Sequence, residues 1–295
     1  MLRRAIWSSQ WKNIRLFTTS STKLPNGITL SYDLHPPAAA SPQKPAIVIL
    51  HGLFGSKANN KTISRVLARD LGQEVYALDL RNHGASSHSP EHDYSHLAMD
   101  VELFLQEHGL SDIVLIGHSM GAKTAMTVAL RHKVPIGALI PVDNAPVDAA
   151  LKGNFGQYVQ AMRRIADANL LSRSDADAIL KEYEGSLGIR QFLLTNLIRD
   201  EDNNQTLHWR IPVSVLGKSL NNMADFPFKN PEAVQYNGPT LIVRGTQSPY
   251  VADEMLPVVG RFFPKFELAD IDCGHWVISE KPQDFRRVVV DWLRR

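Results

Sequence analysis

One pentapeptide limits what this chain can fold into more than any other feature. Gly117-His118-Ser119-Met120-Gly121 follows the apolar run Ile113–Ile116 and precedes the helix-forming stretch Ala122–His132. A short apolar run of this kind reads as a buried strand. The turn between strand and helix is then so tight that side chains at 117 and 121 would collide with neighbouring backbone, hence glycine at both. Such a turn lifts the Ser119 hydroxyl clear of the sheet and sets it above a helix N-terminus.

The rest of the body repeats the pattern. Ile28–His35 alternates polar and apolar residues and is expected as an edge strand. Ala46–Leu50, Val75–Leu80, Ile113–Ile116 and Ala138–Val142 read as four buried strands. No convincing strand is read between residue 147 and about 235. That block carries helix signals at Phe155–Ala168, from Ser174-Asp175, at Ile189–Arg199 and in a stretch ending at Asn221-Asn222. Strand Thr240–Arg244, helix Ala252–Phe263, weaker strand Phe266–Leu268 and amphipathic helix Pro282–Leu293 resume the alternation. The expectation is an α/β fold with a mostly parallel central sheet and helices on both faces. The inserted helical block is expected to lie as a lid over the carboxyl ends of the strands, where open α/β sheets bind ligands. The core is read as residues 23–146 and 236–295, and the lid as 147–235.

Residues 1–22 are read as a leader. They contain no acid, several Ser and Thr, and the bases Arg3, Arg4, Lys12 and Arg15. Leu2, Ile6, Trp7, Trp11, Ile14 and Phe17 share one half of a helical projection. This is the composition of a mitochondrial transit peptide. Arg15-Leu16-Phe17-Thr18 resembles a matrix-protease site cut after Phe17. Removing residues 1–17 takes four of the 32 Lys and Arg, against 30 acids, so the remainder has two more acids than bases. Nucleic-acid binding has no electrostatic support. No apolar run approaches the roughly 18 residues of a bilayer span. Cys273 is the one cysteine, which excludes a disulfide within the chain.

A serine hydroxyl needs a base and, behind it, an acid. In a chain ordered serine, acid, histidine, His275 in Asp272-Cys273-Gly274-His275-Trp276 fits the base, after the last strand and before the final helix. The strand after the lid is where an acid is often expected, but Ser248 stands there. Asp143, in Val142-Asp143-Asn144-Ala145-Pro146 at the carboxyl end of Ala138–Val142, is the preferred acid, with Asp253 as the runner-up. An oxyanion hole is expected from the N–H groups of Leu53 and Met120. Leu53 belongs to His51-Gly52-Leu53-Phe54-Gly55. Phe54 and Trp276 are expected beside the acyl group. Asp79-x-Arg81-Asn82-His83-Gly84-x-Ser86 reads as a packed polar loop near the site. His88, His92 and His96 are spaced four apart, but a Ser-Pro pair argues for a loop there and against a metal site. Cys273 lacks a strand-to-helix elbow and reads as structural. No phosphate cradle or dinucleotide fingerprint is present, and neither a cofactor nor a metal is expected.

The segments HGLFG, DLRNHGASSH, GHSMGAKTAM, PVDNAPVD and CGHW together resemble the α/β-hydrolase superfamily. More narrowly, they resemble its mitochondrial group of fungal ethanol acetyltransferases and related esterases. The resemblance covers about residues 24–295. It implies Ser119, Asp143 and His275 as the catalytic set. Ala122 departs from the pattern, standing where relatives often have a third glycine. The implied function is a serine esterase or thioesterase acting on small esters, thioesters or acyl-CoA. The alternatives are an alcohol acetyltransferase with an alcohol acceptor and a non-catalytic hydrolase-fold binding protein.

Overall fold

The computed structural model describes residues 17–37, 44–148, 154–199 and 206–295. In chain order the body begins with β1 (Thr18–Lys23), β2 (Thr29–His35), β3 (Ile47–Leu50), α1 (Lys61–Leu71), β4 (Val75–Leu78), α2 (Tyr94–Glu107), β5 (Ile113–His118), α3 (Met120–Arg131) and β6 (Ile136–Val142). The inserted block holds α4 (Phe155–Asp167), α5 (Arg173–Lys181), α6 (Leu187–Leu194), β7 (Leu197–Arg199), β8 (Leu207–Trp209), α7 (Val213–Lys218) and α8 (Leu220–Ala224). The body resumes with β9 (Thr240–Gly245), α9 (Leu256–Phe262), β10 (Phe266–Ile271), α10 (Val277–Glu280) and α11 (Pro282–Leu293).

Eight strands form one sheet in the order β1-β2-β4-β3-β5-β6-β9-β10. The pairs β1–β2 and β2–β4 are antiparallel, and every pair from β4 to β10 is parallel. The parallel centre is apolar on both faces, which is why β3, β4 and β5 are wholly buried runs. Alternate residues serve different sides. Ile47 and Ile49 join a core with Leu67 of α1 and Phe285 of α11. Val48 and Leu50 join the other, with Phe104 of α2, Met126 of α3 and residues of the inserted block such as Met162 and Leu193.

Two expectations are corrected, the place of the sheet edge and the make-up of the inserted block. The sheet edge is β1, not the strand at 28–35. A leader ending at residue 22 would remove most of β1, whereas a cut after Phe17 leaves it whole. Residues 1–16 lie outside the described residues. The inserted block is not purely helical, because β7 and β8 pair antiparallel as a small second sheet. The helix expected over Ile189–Arg199 therefore spans Leu187–Leu194, and its last residues form β7. No helix among the described residues is long and apolar enough to cross a bilayer.

The block rests on the body at named points. The Tyr94 hydroxyl donates to the Met223 carbonyl (3.0 Å). Lys123 Nζ donates to the carbonyls of Ala224 (3.0 Å) and Asp225 (2.9 Å). Asn196 Nδ2 donates to the Phe54 carbonyl (2.7 Å), in the loop after β3.

Candidate active site

The carboxyl ends of β3, β5, β6 and β9 converge on one rim. Ser119 leaves β5 with φ 55° and ψ −113° and opens α3 directly. The elbow tolerates nothing larger than glycine at its flanks. A Cβ on Gly117 would lie 2.0 Å from the Gly121 carbonyl oxygen, and one on Gly121 would lie 2.5 Å from that of Leu50. The Ser119 N–H donates to the Val142 carbonyl (2.9 Å), tying the elbow to the end of β6. Asn144 Nδ2 donates to the Ser119 carbonyl (3.2 Å).

The structure brings Ser119, Asp143 and His275 together. His275 Nε2 is 2.9 Å from Ser119 Oγ, and His275 Nδ1 is 2.6 Å from Asp143 Oδ2. A carboxylate only accepts. The imidazole therefore carries its proton on Nδ1 and offers the Nε2 lone pair to the Ser119 hydroxyl.

Asp143 is fully buried, and burying a charge without donors is costly. Three donors meet it. Oδ1 accepts from the Gly245 N–H (3.0 Å), and Oδ2 accepts from His275 Nδ1–H and from the Ser248 hydroxyl. The runner-up Asp253 lies elsewhere. Its side chain is 78% exposed and pairs with Arg244.

The loop carrying His275 is held from both sides. His118 Nε2 donates to the His275 carbonyl (2.8 Å). A carbonyl cannot donate, so this bond fixes the His118 tautomer. Burial pushes His118 down to about 4, so its ring is neutral at ordinary pH. Glu280 accepts from the N–H groups of Gly274 (2.9 Å) and Trp276 (3.2 Å). The Tyr250 ring lies 4.3 Å from the His275 ring, centroid to centroid.

Leu53 and Met120 are both buried, and neither N–H makes a hydrogen bond among the described residues. Phe54 is fully buried, with its ring 6.0 Å from Phe155 of α4. It joins the body to the inserted block. Trp276 is half-buried, and its ring packs 4.6 Å from Phe192 of α6 and 5.5 Å from His275.

Seven non-glycine residues among those described have positive φ, and three of them are Phe54, Ser119 and Asp143. Three strained residues thus share this rim, and strain of this kind recurs at functional sites.

The polar loop after β4 packs behind the β3 loop as expected. Asp79, Arg81, Asn82, His83 and Ser86 are all buried. Arg81 makes a two-pronged pair with Asp100 (2.6 and 2.8 Å). His92 is buried just before α2, while His96 lies inside α2 and contacts Asp93. The regular helix begins within the His88–His96 stretch, at Tyr94, and includes only its end. No group of three or more metal-ligating side chains comes together among the described residues. Cys273 is buried, and burial pushes its thiol up to about 11.

Sequence reasoning did not identify Ser248, His118, Asn144 or Asn196 as site residues. Ser248 alone carried a signal, since it occupies the position where an acid was sought.

Known proteins point the same way. A family model described as alpha/beta hydrolase fold matches residues 45–282. A Saccharomyces cerevisiae protein named "Probable alcohol acetyltransferase" is 40% identical over 267 residues, covering 85% of this chain and 78% of that protein. A Xenopus laevis protein named sn-1-specific diacylglycerol lipase ABHD11 is 38% identical over 282 residues, covering 94% of this chain and 87% of its own. The solved structure of a marine microorganism esterase superposes with a TM-score of 0.78 at 27% identity, covering 89% of this chain and 98% of that one.

Proposed function

The chain belongs to the α/β-hydrolase family, and from that premise we propose that it is a serine hydrolase of small acyl esters or thioesters. One observation carries the reading: the continuous hydrogen-bond chain from Ser119 Oγ through both nitrogens of His275 to Asp143 Oδ2.

The chemistry follows from that chain. His275 Nε2 takes the Ser119 proton as Oγ bonds to the acyl carbon. The carbonyl π electrons move onto oxygen, and the Leu53 and Met120 N–H groups receive the oxyanion. Collapse breaks the bond to the alcohol or thiol, which leaves with the proton held on His275. Water, activated by His275, attacks the acyl-Ser119, and the carboxylic acid departs. Asp143 orients the ring and stabilises the imidazolium at both stages.

A second reading changes only the acceptor. An alcohol in place of water makes an ester, and the 40% identical relative named for alcohol acetylation favours it. Purified protein given acetyl-CoA with and without ethanol distinguishes them. Acetate in both tubes supports the hydrolase, and ethyl acetate in the ethanol tube supports the transferase. Absence of both, together with no fluorophosphonate labelling of Ser119, points to a non-catalytic binding protein.

The amphipathic, acid-free composition of the first residues supports delivery to mitochondria. Protein recovered from that compartment is expected to begin at Thr18.

A further inference from the structure

We propose that the lid residue Asn196 is a positioning residue for the turn that offers the Leu53 N–H, so that seating the lid sets the oxyanion-binding geometry. This rests on the serine-hydrolase reading.

Gly52 to Gly55 form a turn closed by the Gly55 N–H on the Gly52 carbonyl (2.9 Å). Leu53 is its second residue and Phe54 its third. Phe54 has φ 61°, a value that ordinarily calls for glycine or asparagine at the third position. A phenylalanine stays there only if its surroundings hold it.

Both peptide groups of Phe54 are held from outside the turn. Its N–H donates to His83 Nε2 (3.1 Å), and its carbonyl accepts from Asn196 Nδ2 (2.7 Å). The His83 partner is rigid. Its Nδ1–H donates to the Arg81 carbonyl (2.9 Å), and burial holds its pKa well below the ordinary value, leaving Nε2 free to accept. The Asn196 partner is equally fixed within the lid. Its N–H donates to the Leu193 carbonyl (3.1 Å), and its carbonyl accepts from the Arg210 N–H (2.8 Å). Asn196 is 3% exposed, so water does not readily replace it.

The turn is therefore completed by two residues from different layers, one from the core and one from the lid, 142 positions from Phe54. The bonds made by Tyr94, Lys123 and Asn222 meet the lid near α8 and end on α2, α3 or the loop before α2. The Asn196 bond ends on the turn itself. Lifting the lid at α6 leaves the Phe54 carbonyl without its donor, and the left-handed residue relaxes. Substrate that holds the lid down restores the turn. The effect falls on the acyl-transfer step rather than on ester binding.

The test uses the full chain and p-nitrophenyl acetate, with active enzyme counted by fluorophosphonate titration of Ser119. Asn196→Ala is expected to lower kcat per titrated site by about 10- to 100-fold, the usual cost of a small misplacement. KM should stay within about threefold and the pH profile of kcat should keep its midpoint. Asn196→Gln, which retains an amide donor, is expected to recover part of the loss. A purely structural role would reduce the titratable fraction and leave kcat per site unchanged. A kcat per site within about twofold of wild type overturns the proposal. If Asn196→Ala yields no folded protein, Asn196→Ser is read by the same criterion. Failure of wild type itself to label at Ser119 would instead refute the hydrolase reading.

Discussion

The Ser248 hydroxyl donates to the same Asp143 oxygen that faces His275 Nδ1. The two residues end neighbouring segments of the sheet, because β6 pairs with β9 and Val142 sits opposite Val243. In the proposed triad the acid therefore lies one strand over from the position after β9. The residue left at that position supports it with a hydrogen bond.

The acid assignment makes a paired prediction. Asp143→Asn removes the charge that stabilises the imidazolium and lets the ring take the wrong tautomer, at a cost of about 10⁴ in kcat. Asp253→Asn should leave kcat within about twofold, since it disturbs only an exposed ion pair. Initial rates on p-nitrophenyl acetate compare the two. Equal losses would contradict the assignment.

Ser248→Ala removes one of the three donors to Asp143. A hydrogen bond is worth about 1 kcal/mol net, so kcat should fall by about fivefold. Ser248→Thr keeps the hydroxyl and should restore most of it. An unchanged kcat in the alanine variant would mean that the other two donors suffice.

The elbow predicts a contrast between two glycines. Gly121→Ala places a Cβ 2.5 Å from the Leu50 carbonyl oxygen, and overpacking of that kind costs about 3 kcal/mol or more. In Gly156→Ala the new methyl meets nothing within 4 Å and lies in α4, so stability should rise by up to about 1 kcal/mol. Urea denaturation measures both.

Acid stability should be set by neutral buried histidines. Burial is the largest cause of lowering at His51, His83, His92 and His118, taking His92 to about 3 and His118 to about 4. The unfolded chain protonates such groups near the ordinary 6.5, while the native chain does not. Their contribution is therefore complete above that pH and is lost as pH falls toward the native values. Each histidine adds a slope of about 1.4 kcal/mol per pH unit in that window. His92→Leu should reduce the slope of unfolding free energy between pH 6 and 4.5 by about one proton. An unchanged slope would contradict the assignment.

Much of the site was legible because its residues sit at strand ends. Ser119 follows β5, Asp143 follows β6 and His275 follows β10, and buried strands announce themselves as apolar runs. What escaped depended on distance in the chain. His118 reaches the His275 carbonyl across 157 positions, and nothing in the pentapeptide distinguishes that histidine from any other residue allowed there. β1 escaped for a different reason. Almost every residue of Thr18–Lys23 is exposed, so the strand carries no alternation, and its Ser and Thr blend into the leader. β7 and β8 have three residues each, too few for a period to register.

The account stands most directly on pre-steady-state hydrolysis of p-nitrophenyl acetate followed by intact and peptide mass spectrometry. It predicts a burst of about one nitrophenolate per enzyme. It also predicts an acetyl group on Ser119 that accumulates in wild type and is absent from Ser119→Ala. Turnover that persists in Ser119→Ala, or an acetyl group trapped on another residue during turnover, would contradict it.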